Sequence, residues 1–292
     1  MTQRLLAVHA HPDDESSKGA ATYAYYVDRG AEVVIVSCTG GERGDILNEA
    51  LQATPMAHRD MAGLRRVEMA KAQSIIGFEH RWLGYVDSGM PPEGESLPAN
   101  CFAAIPVEIS AAPLVKLIRD FRPQVLITYD ENGGYPHPDH VRSHELAVRA
   151  FEAAADPLQY PEAGEPWQIS KLYYDRIMNS QRMNAMHAAL LARDPDSALL
   201  DDLTKIRRWM QERPNLATTQ VRSGDFFEQR DDALRAHASQ VAPDSSFFFW
   251  PNDLQREVWP WEDFQLVRSS VPSTLPETDL FAGIMDSQEG EQ

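Results

Sequence analysis

Apolar and polar positions alternate along the first half of the chain in a way that predicts a repeating strand and helix order. Leu5 to His9 ("LLAVH") is a short apolar run of strand length, and "GAATYAYYVDRG" behind it has helical composition over Gly19 to Arg29 and stops at Gly30. Glu32 to Cys38 ("EVVIVSC") is β-branched and apolar throughout, the pattern of a parallel strand buried on both faces. Residues 40–62 read as a Gly-rich polar loop, Leu64 to Ile76 as a helix stopped by Gly77, and Arg81 to Tyr85 as a strand. After the loop "DSGMPPEGESLPANC", Pro113 to Phe121 predicts a helix and Gln124 to Tyr129 another strand. Such an order with short connections is α/β, a Rossmann-like, largely parallel sheet flanked by helices.

The texture changes beyond about residue 165. "ISKLYYDRI" suggests a strand that crosses back, residues 181–212 are helix-prone but charged and weakly periodic, and 226–241 predict one helix. The aromatic, proline-bearing stretch after it ("FFFW", "VWPWEDF") suits a packed irregular tail. The expected organisation is a Rossmann-like domain over 1–170 and a smaller α+β region over 171–292 packed against it.

Composition narrows the function. A hydrophobic content of 43% over 292 residues supports a full core. The formal charge of −17 argues against a nucleic acid or an anionic membrane as partner. It leaves the oligomeric state open. Cys38 and Cys101 are too few and too far apart for a disulfide framework, and no apolar stretch is long enough for a membrane span. The expectation is a soluble cytoplasmic protein.

The chemistry gathers behind two of the strands. "VHAHPDDES" (8–16) follows the first, and "YDENGGYPHPDHVRSHE" (129–145) follows the strand at 124–129. Ligands of open α/β sheets collect outside the carboxyl ends of the strands, so two such loops can share one site. His11 with Asp14, and His137 with His140, are spaced three apart, which lets both members of a pair face one centre in a tight or helical turn. Pro12 and Pro138 stiffen the two turns. Either segment alone reads more readily as an acidic helix start or a Pro-Asp turn. Together they point to one divalent cation bound by two imidazoles and a carboxylate, zinc or a first-row ion such as iron(II), with a position left for water. Asp13 beside Asp14 would then be free to take a proton. "GGERG" (40–44) lacks the Lys-Ser/Thr of a P-loop, and Cys38 lies inside an apolar strand where thiols are usually inert.

"AHPDDE" followed by "HPDH" resembles the signature pair of the LmbE/PIG-L-like zinc-dependent N-deacetylases. Further stretches similar to the family's amidase branch are "TGGERGDILN" (39–48), "QRDDALRAHASQ" (229–240) and "PETDLFAGI" (276–284), while 179–222 matches no part of its pattern. The resemblance implies one zinc (or Fe2+) per chain held by His11, Asp14 and His140, and Asp13 as general base and later proton donor. It implies His137 as the group that stabilises the oxyanion, Asp139 as the residue that orients His137, and Tyr135 as a group that polarises the scissile carbonyl. Lys18 stands where the deacetylase branch has a small residue, and selects the acyl side. Arg65 and Asp87 resemble sugar contacts, and His237 is either a pocket or a core histidine. His9, His58, His80, His144 and His187 are read as structural or surface groups. The implied reaction is hydrolysis of the amide of mycothiol S-conjugates in thiol-based detoxification, the alternative being deacetylation of N-acetylglucosaminyl-inositol or another N-acetyl sugar. A small-molecule substrate, a thiol-sugar conjugate, is the partner expected from this resemblance alone.

Overall fold

Leu5, Leu6, Ala7 and Val8 are fully buried, on both faces of strand β1 (Arg4–His9), because β1 sits in the middle of a seven-stranded sheet. In the computed structural model, which describes residues 2–92, 94–211 and 213–284, β1 pairs in parallel with β2 (Glu32–Thr39) on one side and β4 (Val125–Thr128) on the other. Strand β3 (Glu79–Tyr85) continues beyond β2, and β5 (Lys171–Asp175) beyond β4, both in parallel. The order β3-β2-β1-β4-β5 reverses direction between β1 and β4. That reversal opens a crevice at the carboxyl ends of these two strands.

Helices cover both faces. On one lie α2 (Ala20–Asp28) and α3 (Met61–Ile76), joined by α8 (Phe227–Ala236), whose Ala233 and Ala236 share a core with Tyr23, Met69 and Ile35. On the other, α4 (Ala112–Phe121) and α5 (Pro138–Ala155) pack Leu114, Ile118, Leu146 and Ala150 against Leu6, Val8 and Leu126. A one-turn helix, α1 (Asp14–Ser17), follows β1 directly. Both cysteines are buried and free. Among the described residues no helix is long and apolar enough to cross a membrane.

Three features differ from the sequence reading. The loop at 40–62 contains short helices Glu49–Gln52 and Pro55–Arg59, and α3 begins at Met61 because the Asp60 carboxylate accepts the Gly63 N–H at 2.8 Å. The helix expected over 226–241 ends at Ala236, with His237 as its C-cap. The tail is less irregular than expected: it carries the nine-residue strand β7 (Trp261–Ser269), antiparallel to β5 and to the edge strand β6 (Thr219–Arg222). Two buried acids disguise β7. Glu262 accepts the Thr22 N–H at 2.8 Å and Asp263 accepts from Asn179, Gln220 and Trp259, so charged positions lie where strand patterning leads one to expect apolar ones.

The charged 181–212 segment forms α6 (Ser180–Arg193) and α7 (Leu199–Met210). Met183, Met186 and Leu190 face Leu203, Ile206 and Met210, each set spaced three then four, with Trp250 and Leu254 of α9 (Asn252–Val258) closing the cluster. The narrow apolar stripe explains why the periodicity looked weak.

Candidate metal centre and active site

The loop after β1 is tied to its neighbours before it reaches the histidine. Ala10 donates its N–H to the Tyr129 hydroxyl at 2.8 Å, and its carbonyl accepts the Thr39 N–H at 2.9 Å. His11 then donates its backbone N–H to Asp14 Oδ2 at 3.0 Å, which closes the three-residue turn. The loop after β4 is built around Asp130, whose Oδ1 accepts the N–H groups of Asn132 and Gly134, both at 3.0 Å, while Arg176 pairs with the other oxygen. Gly133 has φ 69, and a Cβ there would stand 2.5 Å from His140 Cβ, so His140 has room only because residue 133 is glycine.

His137 is the N-cap of α5, and its Nδ1 accepts the Asp139 N–H at 3.1 Å. With Nδ1 so engaged, Nε2 is the nitrogen that carries hydrogen in the neutral ring. Burial, with His11 and His140 nearby, holds its pKa down to about 4. One turn on, His140 lies fully buried against the Tyr129 ring at 4.5 Å, its Nδ1 2.9 Å from the Gly133 carbonyl. Donation from Nδ1 leaves Nε2 with a bare lone pair.

Among the described residues, that Nε2 has no hydrogen-bond partner of good geometry, and it faces Asp14 Oδ2 at 3.3 Å. His11 Nδ1 faces the same oxygen at 3.4 Å, while its Nε2 lies 3.3 Å from Asp139 Oδ2 and 3.6 Å from Asp87 Oδ1. Ring nitrogens of His11, His137 and His140 lie within 4.8 Å of one another. Two imidazole nitrogens turned on one carboxylate oxygen in a buried site, with the far nitrogen of His11 held by Asp139, is a donor set that a divalent ion satisfies. The residues therefore fit a metal. Asp14 is well suited to remain anionic: burial raises its pKa, but the cationic surroundings, with the Lys18 ammonium bonded to Oδ1, carry it well below the usual carboxylate range.

Asp13 is paired with Arg65, not with the histidines. Its backbone has φ 106, and its Oδ2 lies 3.0 Å from Arg65 Nη2. Burial raises its pKa, Arg65 opposes and Asp14 adds, for a net rise that favours proton uptake.

The remaining sequence candidates fall around this core. Lys18 Nζ bonds Asp14 Oδ1 and lies 5.6 Å from the centre of the Tyr129 ring. Tyr135 is 37% exposed and sets its ring edge-on to His140 and His137, at 4.6 and 6.0 Å. Asp87 is buried, accepting the Arg43 and Gly89 N–H groups at 3.0 and 2.7 Å. Arg65 is buried too, with both terminal nitrogens on Gly41 O, Pro12 O and Asp13. Its fork is thus turned to the protein. Asp139 differs from expectation: its carboxylate contacts His11 and the N–H and hydroxyl of Ser88, and only its backbone N–H meets His137. The reason is its place in the first turn of α5, where the N-cap ring takes the amide and the side chain swings toward β1. His237 lies at the end of α8, fully buried, with Nε2 2.7 Å from Glu15 Oε1.

Glu15, Tyr129 and Ser88 were not singled out from the sequence. Glu15 reads there as an ordinary acidic residue of a helix start, and Tyr129 as the last residue of a strand. Ser88, in a Pro- and Gly-rich loop, carries no signal.

Residues 6–151 match the family described as PIG-L: GlcNAc-PI de-N-acetylase. A mycothiol S-conjugate amidase of Streptomyces coelicolor is 50% identical over 97% of this chain and 98% of its own. A 1D-myo-inositol 2-acetamido-2-deoxy-alpha-D-glucopyranoside deacetylase of Streptomyces avermitilis is 40% identical over 97% of each. The fold is similar to that of N,N'-diacetylchitobiose deacetylase from Pyrococcus horikoshii, with a TM-score of 0.62 and 20% identity over 91% of this chain and 84% of that one. The chain belongs to the PIG-L family, and is an amide hydrolase of that family.

Proposed function

We propose that this protein is a zinc-dependent amidase acting on mycothiol S-conjugates, with a mercapturic acid and glucosaminyl-inositol as products. The observation that carries the metal chemistry is the convergence of His140 Nε2 and His11 Nδ1 on Asp14 Oδ2. The substrate rests on the amidase relative, which is half identical from end to end. His11, Asp14 and His140 would hold the ion, zinc or iron(II), which when bound polarises the amide carbonyl and lowers the pKa of its water toward neutrality.

The side chains then divide the work. Asp13, raised in pKa and separate from the ligands, takes the proton from the attacking water and returns it to the departing amine. His137 presents Nε2–H to the developing oxyanion, with Nδ1 fixed by the Asp139 N–H. Tyr135, at the exposed rim, adds a second donor. Asp139 acts on His11, holding the ring so that Nδ1 faces the ion. Lys18 reaches from Asp14 toward the acyl half of the substrate. The catalytic residues of 1–170 are completed by His237 from the C-terminal region, which reaches Glu15.

Deacetylation of N-acetylglucosaminyl-inositol uses the same machinery and is the second reading, favoured by the 40% identical deacetylase. Assaying conjugate cleavage beside acetate release separates them. The amidase is expected to cleave the conjugate far faster, and Lys18→Ser to narrow that ratio. Acetate release as the faster reaction of the parent enzyme would make the protein a deacetylase.

A further inference from the structure

Asp13 has φ 106 and ψ −29, a backbone region that residues other than glycine rarely enter. Two groups hold it there. On one side the Arg65 guanidinium bonds the Pro12 carbonyl and Asp13 Oδ2, and is itself anchored on the Gly41 carbonyl at 2.8 Å. A Cβ at Gly41 would stand 1.9 Å from Arg65 Nη1, so the guanidinium occupies the space beside a bare glycine. On the other side Glu15 Oε2 accepts the Asp13 N–H at 2.9 Å. Glu15 is fully buried, and its second oxygen accepts the Ser16 hydroxyl at 2.6 Å and meets His237 Nε2 at 2.7 Å.

The turn has a chemical consequence. The left-handed step at residue 13 sends Asp14 to the histidines and Asp13 to Arg65. The contact that fixes this step on the amide side comes from Glu15, and Glu15 is fixed by a histidine more than two hundred residues later in the chain.

We propose that Glu15, oriented by His237, is a positioning residue for Asp13: its carboxylate clamps the Asp13 amide and so aims the base. The proposal rests on the reading of Asp13 as the base. Misplacing a reacting group by about 1 Å can cost on the order of 100-fold in rate.

The test measures kcat per bound zinc, KM and zinc content for the full-length enzyme and for Glu15→Ala, Glu15→Gln and Glu15→Asp. Glu15→Ala is expected to lower kcat per zinc by about 10- to 100-fold, with zinc retained and KM within about twofold. Glu15→Gln, which keeps an oxygen for the Asp13 N–H, is expected to recover most of the loss. Glu15→Asp keeps the charge beside His237 but is one methylene short, so it folds and still loses turnover. A crystal structure of Glu15→Ala is expected to show Asp13 moved from φ 106. Unchanged kcat per zinc in Glu15→Asp, or Asp13 unmoved in Glu15→Ala, overturns the proposal. Asp13→Asn separates the two claims: full activity there removes the base itself, whereas an inactive Asp13→Asn beside a fully active Glu15→Asp removes only the clamp.

Discussion

His140 Nε2 faces Asp14 Oδ2 at 3.3 Å, while His140 Nδ1 is directed at the Gly133 carbonyl 2.9 Å away. The tautomer is set by a backbone oxygen seven residues earlier, and the partner is supplied by a different strand end. This is the relationship that makes the site a receptor for a cation, and it yields the first expectation.

Asp14→Ala is expected to lose metal and activity together, because the oxygen that both imidazoles face is gone. Chelation of the parent enzyme should do the same and lower its thermal midpoint, and either zinc or iron(II) should restore it. Metal analysis by mass spectrometry checks this. A fully metallated but inactive Asp14→Ala would place Asp14 outside the ligand set.

His137→Ala is expected to lower kcat by about two orders of magnitude, the usual worth of one preorganised oxyanion donor at roughly 3 kcal/mol. Zinc content should stay at the parent level, because His137 is engaged at Nδ1 by the Asp139 amide rather than by the Asp14 carboxylate. Steady-state kinetics beside metal analysis gives the answer, and an unchanged rate contradicts the role.

Gly133→Ala is expected to be destabilised by about 1–3 kcal/mol from its left-handed backbone alone. The added Cβ meets His140 Cβ at 2.5 Å, so metal affinity should fall with stability. Urea unfolding and a zinc competition titration measure the two effects. Gly134, also at positive φ but with open space around it, should give the backbone effect without the loss of affinity.

Asp175 provides a pH dependence in the metal-free protein. Burial pushes its carboxyl up to about 7, with Lys18 and Arg176 opposing and Asp130 adding. The folded state therefore holds a proton that the unfolded chain, with a carboxyl near about 3.9, has released. The stability this contributes is complete below about pH 4, declines as pH rises, and is gone above about 7. Asp175→Asn should lack the decline and gain on the parent protein between pH 4.5 and 8, as read from urea unfolding at both values. A constant difference would mean that Asp175 ionises normally.

Much of the site was legible from one dimension because each loop is a local object. "HPDD" and "HPDH" each bring their paired residues to one side of a turn through spacing alone. Both follow strands whose apolar runs mark them as central. Strand β7 was not legible, since its buried Glu262 and Asp263 find partners on α2, β6 and the start of α6 that local periodicity cannot announce. The helix ending at His237 was overextended for the same reason: the histidine stops α8 to reach Glu15.

The sequence by itself determined the strand and helix order, the parallel α/β class, and which short segments carry metal-ligating side chains, because these depend on periodicity and on neighbours a few residues apart. Only the tertiary structure decided that Asp139 serves His11, that Arg65 and Glu15 hold Asp13 between them, and that Tyr129 binds the β1 loop while stacking on His140. Those choices are made when buried polar groups from distant segments must satisfy one another, and a buried donor accepts whichever partner the packing brings within reach.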